Sequence, residues 1–98
     1  MLVEQNPYEE VLKEMHEIHE AKNADYGMSA SKTFMAFGMI AYLVRMTDKL
    51  NRAIFLAQTG QQNVKTESFY DTLIDLANYA AMAAAEMRAN GEGKRSEG

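Results

Sequence analysis

The chain has 98 residues and a net charge of −4, which is enough length for one domain but not for two. The acidic balance excludes a general nucleic-acid binder, because such a protein would carry an excess of Lys and Arg. The absence of cysteine excludes disulfides and thiolate metal sites and is compatible with the cytoplasm, where we expect the protein. The longest apolar run, residues 34–44, is about half the ~20 residues that a membrane span needs, so no membrane association is expected.

The first predicted helix runs from about Pro7 to Lys22. Asn6 is a suitable N-cap, Pro7 fits the first helical position, and Glu9 completes an arrangement that resembles a capping box. Apolar residues then recur at helical spacing on one side, with carboxylates on the other. The segment 23–31 is loop-like, because it is polar and contains Gly27, which can take a positive φ.

The second predicted helix begins near Ser29 or Ser31 and ends at about Gln58, with a bend or break at Gly38. Gly60 is placed to stop it, in a connector over 59–63. Before Arg45 this helix is apolar around most of its circumference, so it must be covered on all sides. Two companion helices of the same chain cannot do that. The sequence therefore predicts a homo-oligomer built as a helical bundle.

The third predicted helix is capped by Thr66 and continues to about Ala89, where Asn90 and Gly91 end it. Residues 91–98 are small or charged and are predicted to be a disordered tail. Residues 1–90 then form a single domain. We find no strand-like alternation of useful length. The predicted fold class is all-α, a bundle of three to four helices completed by oligomerisation.

Two sets of polar residues fall at helical spacing, so each set projects from one side of its helix. The first set is Arg45, Asp48, Lys49 and Arg52, and the second is Glu67, Asp71, Asp75 and Asn78. Stacked carboxylates repel one another unless they are solvated, neutralised by Lys and Arg, or bound to a divalent cation. Such oxygen ligands suit Mg²⁺ or Mn²⁺ together with a substrate's phosphates, and basic groups suit the phosphates themselves. The residues alone leave open a metal–phosphate site or a charge-paired structural network.

Three blocks in chain order carry a resemblance to a known family. They are Lys22-Asn-Ala-Asp25-Tyr26-Gly27, then Leu43-Val-Arg45-Met-Thr-Asp48-Lys49-Leu-Asn-Arg52, then Glu67-Ser68-x2-Asp71-Thr72-Leu73-x-Asp75-Leu76-Ala77-Asn78-Tyr79. Together they resemble the phage-associated nucleotide modification associated domain family, over roughly residues 20 to 82. That family is in turn similar to MazG-like all-α nucleoside triphosphate pyrophosphohydrolases.

The resemblance implies a MazG-like helical bundle that assembles as a homodimer or homotetramer. It also implies Mg²⁺-dependent cleavage of an NTP or dNTP to the monophosphate and pyrophosphate, in phage deoxynucleotide metabolism or DNA base modification. MazG-like enzymes carry E-E-x-x-E on one helix and E-x-x-D on the next. Glu67 and Asp71 stand at the second motif, as implied catalytic and metal-binding residues with a wider spacing. Asp48, Lys49 and Arg52 replace the first motif and leave one carboxylate of three, so Asp48 and Asp75 are the further implied metal ligands.

The implied substrate-binding residues surround these carboxylates. They are Lys22, Asp25, Tyr26, Arg45, Lys49, Arg52 and Asn78. The basic side chains would bind phosphates, and Tyr26 could stack on a base.

Each of these assignments has a structural alternative. Lys22 could be a charge at the end of a helix, Asp25 a turn residue, Tyr26 a packing residue and Asn78 a satisfied core polar group.

A nucleotide-binding or regulatory oligomer without turnover is the alternative function, favoured by the missing carboxylates. A purely structural oligomer is a third possibility.

Overall fold

The protein is all-helical in a computed structural model that describes residues 6–26, 29–60 and 68–92, without the side chains of Asp25 and Tyr26. Four helices occur in these ranges, and none of these residues forms a strand: α1 (Pro7–Tyr26), α2 (Ser29–Phe37), α3 (Ile40–Thr59) and α4 (Phe69–Ala89). The predicted all-α class is confirmed. In these ranges, no helix combines the length and apolar character that crossing a bilayer requires. The predicted tail falls largely on residues 93–98, outside the described ranges.

The start of α1 agrees with the sequence, but its end does not. The side-chain Oδ1 of Asn6 accepts hydrogen bonds from the backbone N–H of Tyr8 at 2.9 Å and of Glu9 at 3.4 Å, which confirms the predicted cap. The helix continues to Tyr26 and α2 begins at Ser29, so the loop predicted over 23–31 is wrong over residues 23–26 and 29–31. The last turn contains no Gly or Pro, and Asn23 Nδ2 lies 3.3 Å from His19 Nε2, one turn earlier.

Two glycines interrupt the helices of the remaining chain at the positions predicted from the sequence. Gly38 has φ +76° between α2 and α3, which confirms the predicted break. Gly60 has φ +68° and donates its N–H to Leu56 O at 2.9 Å, which ends α3 as predicted. A left-handed backbone of this kind is favourable for glycine and strained for most other residues.

The start of α4 differs from the prediction. Ser68 is the N-cap, and its Oγ accepts a hydrogen bond from the backbone N–H of Asp71 at 3.0 Å. The predicted cap Thr66 is therefore wrong, and Thr66 itself falls within 61–67, outside the described residues. The end of α4 at Ala89 is as predicted, with Asn90 as its C-cap.

The core lies mainly between α3 and α4, which run antiparallel. Its buried members are Tyr42, Ala53 and Leu56 from α3, and Thr72, Ile74 and Ala83 from α4. Helix α2 packs on α3, and α1 crosses α4. The side-chain amide of Asn78 donates to the backbone carbonyl of Met15 at 3.2 Å and so ties α4 to α1. This packing brings α1, α3 and α4 together around the middle of α4.

The side of α3 that faces away from α4 is apolar along most of its length. Five residues there, which we call the α3 seam, follow the 3-4-3-4 spacing of a heptad repeat: Ile40, Leu43, Thr47, Leu50 and Ile54. Their four large apolar side chains are 44–59% exposed. The Thr47 hydroxyl is satisfied within the helix, because it donates to Leu43 O at 2.8 Å. The α3 seam is thus an uncovered surface of the kind that packs helix against helix.

Candidate functional site

A partly buried carboxylate, Asp75, lies where α1, α3 and α4 meet. Its Oδ2 is 3.0 Å from Lys49 Nζ on α3, and its Oδ1 is 3.3 Å from Lys22 Nζ on α1. The side chain of Asp75 is 17% exposed, that of Lys49 is 23% exposed, and that of Lys22 is 57% exposed. We call these three residues the Asp75 cluster. Three helices converge on it, so its geometry depends on the whole fold.

The two lysines keep Asp75 ionised in spite of its partial burial. Burial by itself raises the pKa of the Asp75 carboxyl. The hydrogen bond from Lys49 and the positive charges of Lys22 and Lys49 act in the opposite direction and outweigh it, so the pKa lies below its usual value. Asp75 is therefore a carboxylate at neutral pH, and it holds both ammonium groups in place.

We expect Asp75→Asn to lower the melting temperature at pH 7, because it leaves two lysines without this carboxylate. A loss of about 1–2 kcal/mol is expected, between the values typical of surface and buried ion pairs. A lowered folded-state pKa stabilises the protein above the unfolded pKa of about 3.9, and this contribution is lost as the pH falls below that value. Melting curves followed by circular dichroism from pH 3 to 7 should therefore show a flatter acid response in the variant.

The matched control for this prediction is Asp48→Asn, because Asp48 is an exposed carboxylate on α3. It should lower the melting temperature much less than Asp75→Asn does. Equal effects of the two substitutions would contradict the stabilising role assigned to the Asp75 cluster.

Asp71, one turn before Asp75 on α4, is exposed and has a local role. Its Oδ2 accepts a hydrogen bond from Ser68 Oγ at 2.9 Å, in addition to the backbone hydrogen bond that caps the helix. A carboxylate in the first turn also suits the positive end of the helix dipole. These interactions occupy one side of the carboxylate and leave Asp71 accessible to solvent.

The predicted metal ligands are only partly brought together. Within residues 6–26, 29–60 and 68–92, no three His, Asp or Glu residues are grouped so that they could hold a metal ion. Glu67 lies outside these ranges, and Asp48 is exposed on α3. Asp71 and Asp75 remain as two carboxylates one turn apart. Asp71 is exposed, whereas both oxygens of Asp75 contact lysine ammonium groups.

The predicted phosphate-binding residues of α3 share one side of that helix. Arg45 is exposed and Arg52 is half-buried, and both stand within one turn of Lys49. Arg45 lines a cavity of about 120 Å³ together with Tyr42 and Tyr79. Basic groups from α3 therefore lie on the same side as the Asp75 cluster.

The structure decides between alternatives for two of the other predicted residues. Lys22 is not in the last turn of α1, so it is not a charge at the end of that helix, and its ammonium contacts Asp75. Asp25 lies within α1, so the turn alternative is wrong for this residue. The side chains of Asp25 and Tyr26 are outside the described part of the chain.

Asn78 has features of both the structural and the substrate-binding alternative. Its amide N–H is used in the hydrogen bond to Met15, as the structural alternative predicts. The residue also lines a cavity beside the Asp75 cluster. Its predicted role in substrate binding stays a prediction.

Two adjoining cavities lie along one face of α4. The Asp75 cavity, of about 220 Å³, is lined by Lys22, Asp75, Asn78 and Tyr79. The Glu86 cavity, of about 170 Å³, is lined by Tyr42 and Glu86. The two cavities share lining residues, and these are His19, Asn23, Ala30 and Met82.

The α4 residues of these cavities are spaced so that they fall on one helical face: Asp75, Asn78, Tyr79, Met82 and Glu86. Sequence reasoning followed this face only as far as Asn78. The same helical spacing, continued toward the C-terminal end of α4, would have included Met82 and Glu86.

A second carboxylate cluster, which the sequence analysis missed, lies in the Glu86 cavity. The Oε2 atom of Glu86 accepts hydrogen bonds from Ser31 Oγ at 2.5 Å and from Tyr42 Oη at 2.9 Å. Tyr42 is only 3% exposed. Burial, followed by the hydrogen bond and negative charge of Glu86, raises the pKa of Tyr42 to about 12. The phenol therefore stays neutral and donates to Glu86 throughout the physiological range.

Comparison with known proteins adds one positive finding. The family described as nucleotide modification associated domain 1 matches residues 22–87, which are 66 of the 98 residues. This range includes all the residues of the Asp75 cluster and the Glu86 carboxylate. No curated protein and no solved structure was found to match the chain.

Proposed function

The chain belongs to the nucleotide modification associated domain 1 family, and from this premise we propose that it cleaves an NTP or dNTP to the monophosphate and pyrophosphate. The observation that carries the proposal is the position of the Asp75 cluster. Asp75 holds two lysine ammonium groups where three helices meet, and Lys22 and Asp75 open into the 220 Å³ cavity. Such ammonium groups bind phosphate oxygens through charge-assisted hydrogen bonds. Residues 20–82 resemble a family that is in turn similar to MazG-like enzymes, and this similarity is a further reason to propose the same chemistry.

Each residue of the Asp75 cluster has a role in this proposal. An ammonium group has three N–H donors, so Lys22 can donate to a phosphate while it contacts Asp75. Lys49 donates from the opposite helix, and Arg45 and Arg52 add positive charge along α3. Asp75 acts mainly as a positioning residue, because its two oxygens contact the two lysines.

Glu67 and Asp71 are the proposed metal ligands, whereas the two oxygens of Asp75 contact lysines. Mg²⁺ or Mn²⁺, when bound, neutralises phosphate charge and lowers the pKa of a coordinated water. Water adds to the α-phosphorus of the substrate, the bond to the bridging oxygen breaks, and pyrophosphate leaves. No residue of the chain is required as a covalent nucleophile.

A second candidate is nucleotide binding without turnover, in a regulatory oligomer. The missing E-E-x-x-E carboxylates favour it, because Asp48, Lys49 and Arg52 stand where that motif would belong. The engagement of Asp75 by two lysines also favours a site for phosphate over a site for bare cations. In both proposals the protein acts in the cytoplasm on nucleotides, in deoxynucleotide metabolism or DNA base modification.

The test is a screen of the eight common NTPs and dNTPs with Mg²⁺ or Mn²⁺, assayed for pyrophosphate release and by calorimetry for binding. We expect release from one or a few nucleotides. We also expect tighter nucleotide binding when Mg²⁺ is present, because Glu67 and Asp71 would hold a cation whose charge attracts the phosphates. Lys22→Gln should weaken binding by about 10-fold, through loss of a charged hydrogen bond.

The control is Lys13→Gln, which removes another exposed α1 lysine and should leave binding unchanged. Nucleotide binding without pyrophosphate release would select the second candidate. The absence of any nucleotide binding would overturn both.

We also propose that the protein is a homo-oligomer, dimeric or tetrameric, in which the α3 seam packs against the α3 seam of a second copy. The argument rests on the 3-4-3-4 spacing and on the exposure of Ile40, Leu43, Leu50 and Ile54. Helix α3 has 20 residues and packs one side on α4, and the large apolar side chains of the α3 seam remain exposed among the described residues. An identical helix related by two-fold symmetry would cover it.

A further inference from the structure

We propose that the Glu86 cavity receives the base of the bound nucleotide, and that Glu86 selects bases that carry an exocyclic amino group at pyrimidine C4 or purine C6. This inference rests on the proposed function, because it takes the phosphates to be at the Asp75 cluster. It assigns a specificity-determining role to residues at the opposite end of the same face of α4.

The first reason is that the hydrogen bonds from Ser31 and Tyr42 to Glu86 use only one oxygen of its carboxylate. A carboxylate has about four acceptor positions, two on each oxygen. Ser31 and Tyr42 both donate to Oε2, and so fill that oxygen. Among the residues that the structure describes, no donor is directed at Oε1, and no cation pairs with this half-buried carboxylate. Oε1 is therefore the carboxylate oxygen that is open to a donor from a ligand in the cavity.

The second reason is the continuity of the two cavities. They share His19, Asn23 and Met82, and so form one path from the Asp75 cluster to Glu86. Glu86 lies about three helical turns beyond Asp75, or roughly 16 Å along the axis of α4. A nucleotide has the matching polarity, with phosphates at one end and a hydrogen-bonding base at the other. Met82 supplies apolar surface against which a flat ring can pack.

The third reason is that the polarity of this acceptor is fixed. Tyr42 stays neutral, so its hydroxyl remains a donor to Oε2 of Glu86. Oε1 therefore presents lone pairs to the cavity. The amino group of cytosine or adenine can donate a hydrogen bond to it. In protein–DNA complexes, Glu and Asp accept a hydrogen bond from the amino group of cytosine in this way. The carbonyl of uracil, thymine or hypoxanthine at the same position would place acceptor against acceptor.

The same geometry disfavours a two-point contact with guanine. Guanine offers two adjacent donors, and it would need both oxygens of Glu86. Because Oε2 is already occupied by Ser31 and Tyr42, only one oxygen is available. The class of ligand is thus a nucleotide with a 4-amino pyrimidine or a 6-amino purine.

The experiment uses the full chain and pairs of nucleotides that differ mainly in this group, dCTP with dUTP and ATP with ITP. We expect the amino member of at least one pair to bind about 10- to 100-fold more tightly in calorimetry with Mg²⁺, the range for a hydrogen bond to a charged group. In Glu86→Gln the amide oxygen should accept the Ser31 and Tyr42 hydroxyls, which turns the NH₂ group toward the cavity. That variant should therefore prefer the carbonyl member of the pair.

The matched control is Glu17→Gln, an exposed carboxylate on α1, which should keep the wild-type preference. Tripolyphosphate, which has no base, tests the phosphate end separately. Equal affinities within both wild-type pairs, or a preference that Glu86→Gln leaves unchanged, would overturn the inference even when tripolyphosphate binds. If neither tripolyphosphate nor any nucleotide binds, the proposed function fails as well. The wild-type comparison decides the matter if Glu86→Gln does not fold.

Discussion

We expect Asp71→Asn to reduce pyrophosphate release by at least about 100-fold and to change stability by less than about 1 kcal/mol. The loss of turnover follows from the proposed metal role, since removing one group that stabilises the developing charge lowers kcat on this scale. The small change in stability follows from the position of Asp71. The side chain is exposed, and Asn keeps an oxygen that can accept the hydrogen bond from Ser68. Only the favourable charge at the helix N-terminus is lost, which is worth about 0.3–1 kcal/mol.

Asp75→Asn is the matched comparison, because it is the same substitution one turn further along α4. It should lower stability more than Asp71→Asn does, since it removes the carboxylate that holds Lys22 and Lys49. Initial rates of pyrophosphate release and melting temperatures, measured on both variants, separate the two roles. Wild-type rates in Asp71→Asn would remove Asp71 from the chemistry. A large loss of stability in Asp71→Asn would instead make it a structural residue.

The parts of the fold that could be predicted are those set by local chemistry. The side chain of Asn6 accepts hydrogen bonds from backbone N–H groups at the start of α1, and Gly38 and Gly60 take the positive φ that ends a helix. Such signals can be recognised without knowledge of the rest of the chain. The start of α4 was predicted two residues too early because Thr66 and Ser68 are both competent caps. The sequence gives no local reason to choose between them, whereas packing does: Thr72, one turn after Ser68, is fully buried and donates to Ser68 O at 2.7 Å.

The extension of α1 was missed for a similar reason. Residues 23–26 carry polar side chains typical of a loop, and single-chain patterns favour ending the helix at Lys22. The helix continues past Lys22, whose ammonium contacts Asp75 on α4, 53 positions later. A contact between residues so far apart in the chain cannot be recognised from local sequence patterns.

The candidate site was predictable in its residue types and less so in its pairings. Helical spacing placed Asp75 and Lys49 on defined sides of their helices, and the structure brings these two together. Which carboxylate pairs with which lysine or arginine depends on the register of α3 against α4, and helical spacing alone does not determine this register. Glu86 was missed because it follows a run of alanines near a helix end and has the pattern of a solvated residue. Its partners, Ser31 and Tyr42, lie 55 and 44 positions away in the sequence.

We expect Leu50→Lys to convert the oligomer to monomers at micromolar concentration. Leu50 lies near the middle of the α3 seam and is 49% exposed in the single chain, so in a symmetric pair two copies of this side chain become buried. Full burial of a leucine side chain is worth about 1.5–3 kcal/mol. Each Leu50 in the pair would lose about half of this burial energy. With the added cost of removing two ammonium groups from water, the total is about 3 kcal/mol. The dissociation constant should therefore rise by more than about 100-fold.

The matched control is Leu12→Lys, because Leu12 is 42% exposed on α1 and does not belong to the α3 seam. Light scattering should give the oligomeric mass for the wild type and for Leu12→Lys, and the monomeric mass for Leu50→Lys, whose helical circular dichroism should be retained. A monomeric mass for the wild-type protein would contradict the oligomer itself. An unchanged mass for Leu50→Lys would place the interface on another surface. The same loss of mass in both variants would indicate that a lysine on any apolar surface has this effect. The two variants introduce the same charge at positions of similar exposure, but on different helices. A difference in mass between them therefore assigns the interface to the α3 seam.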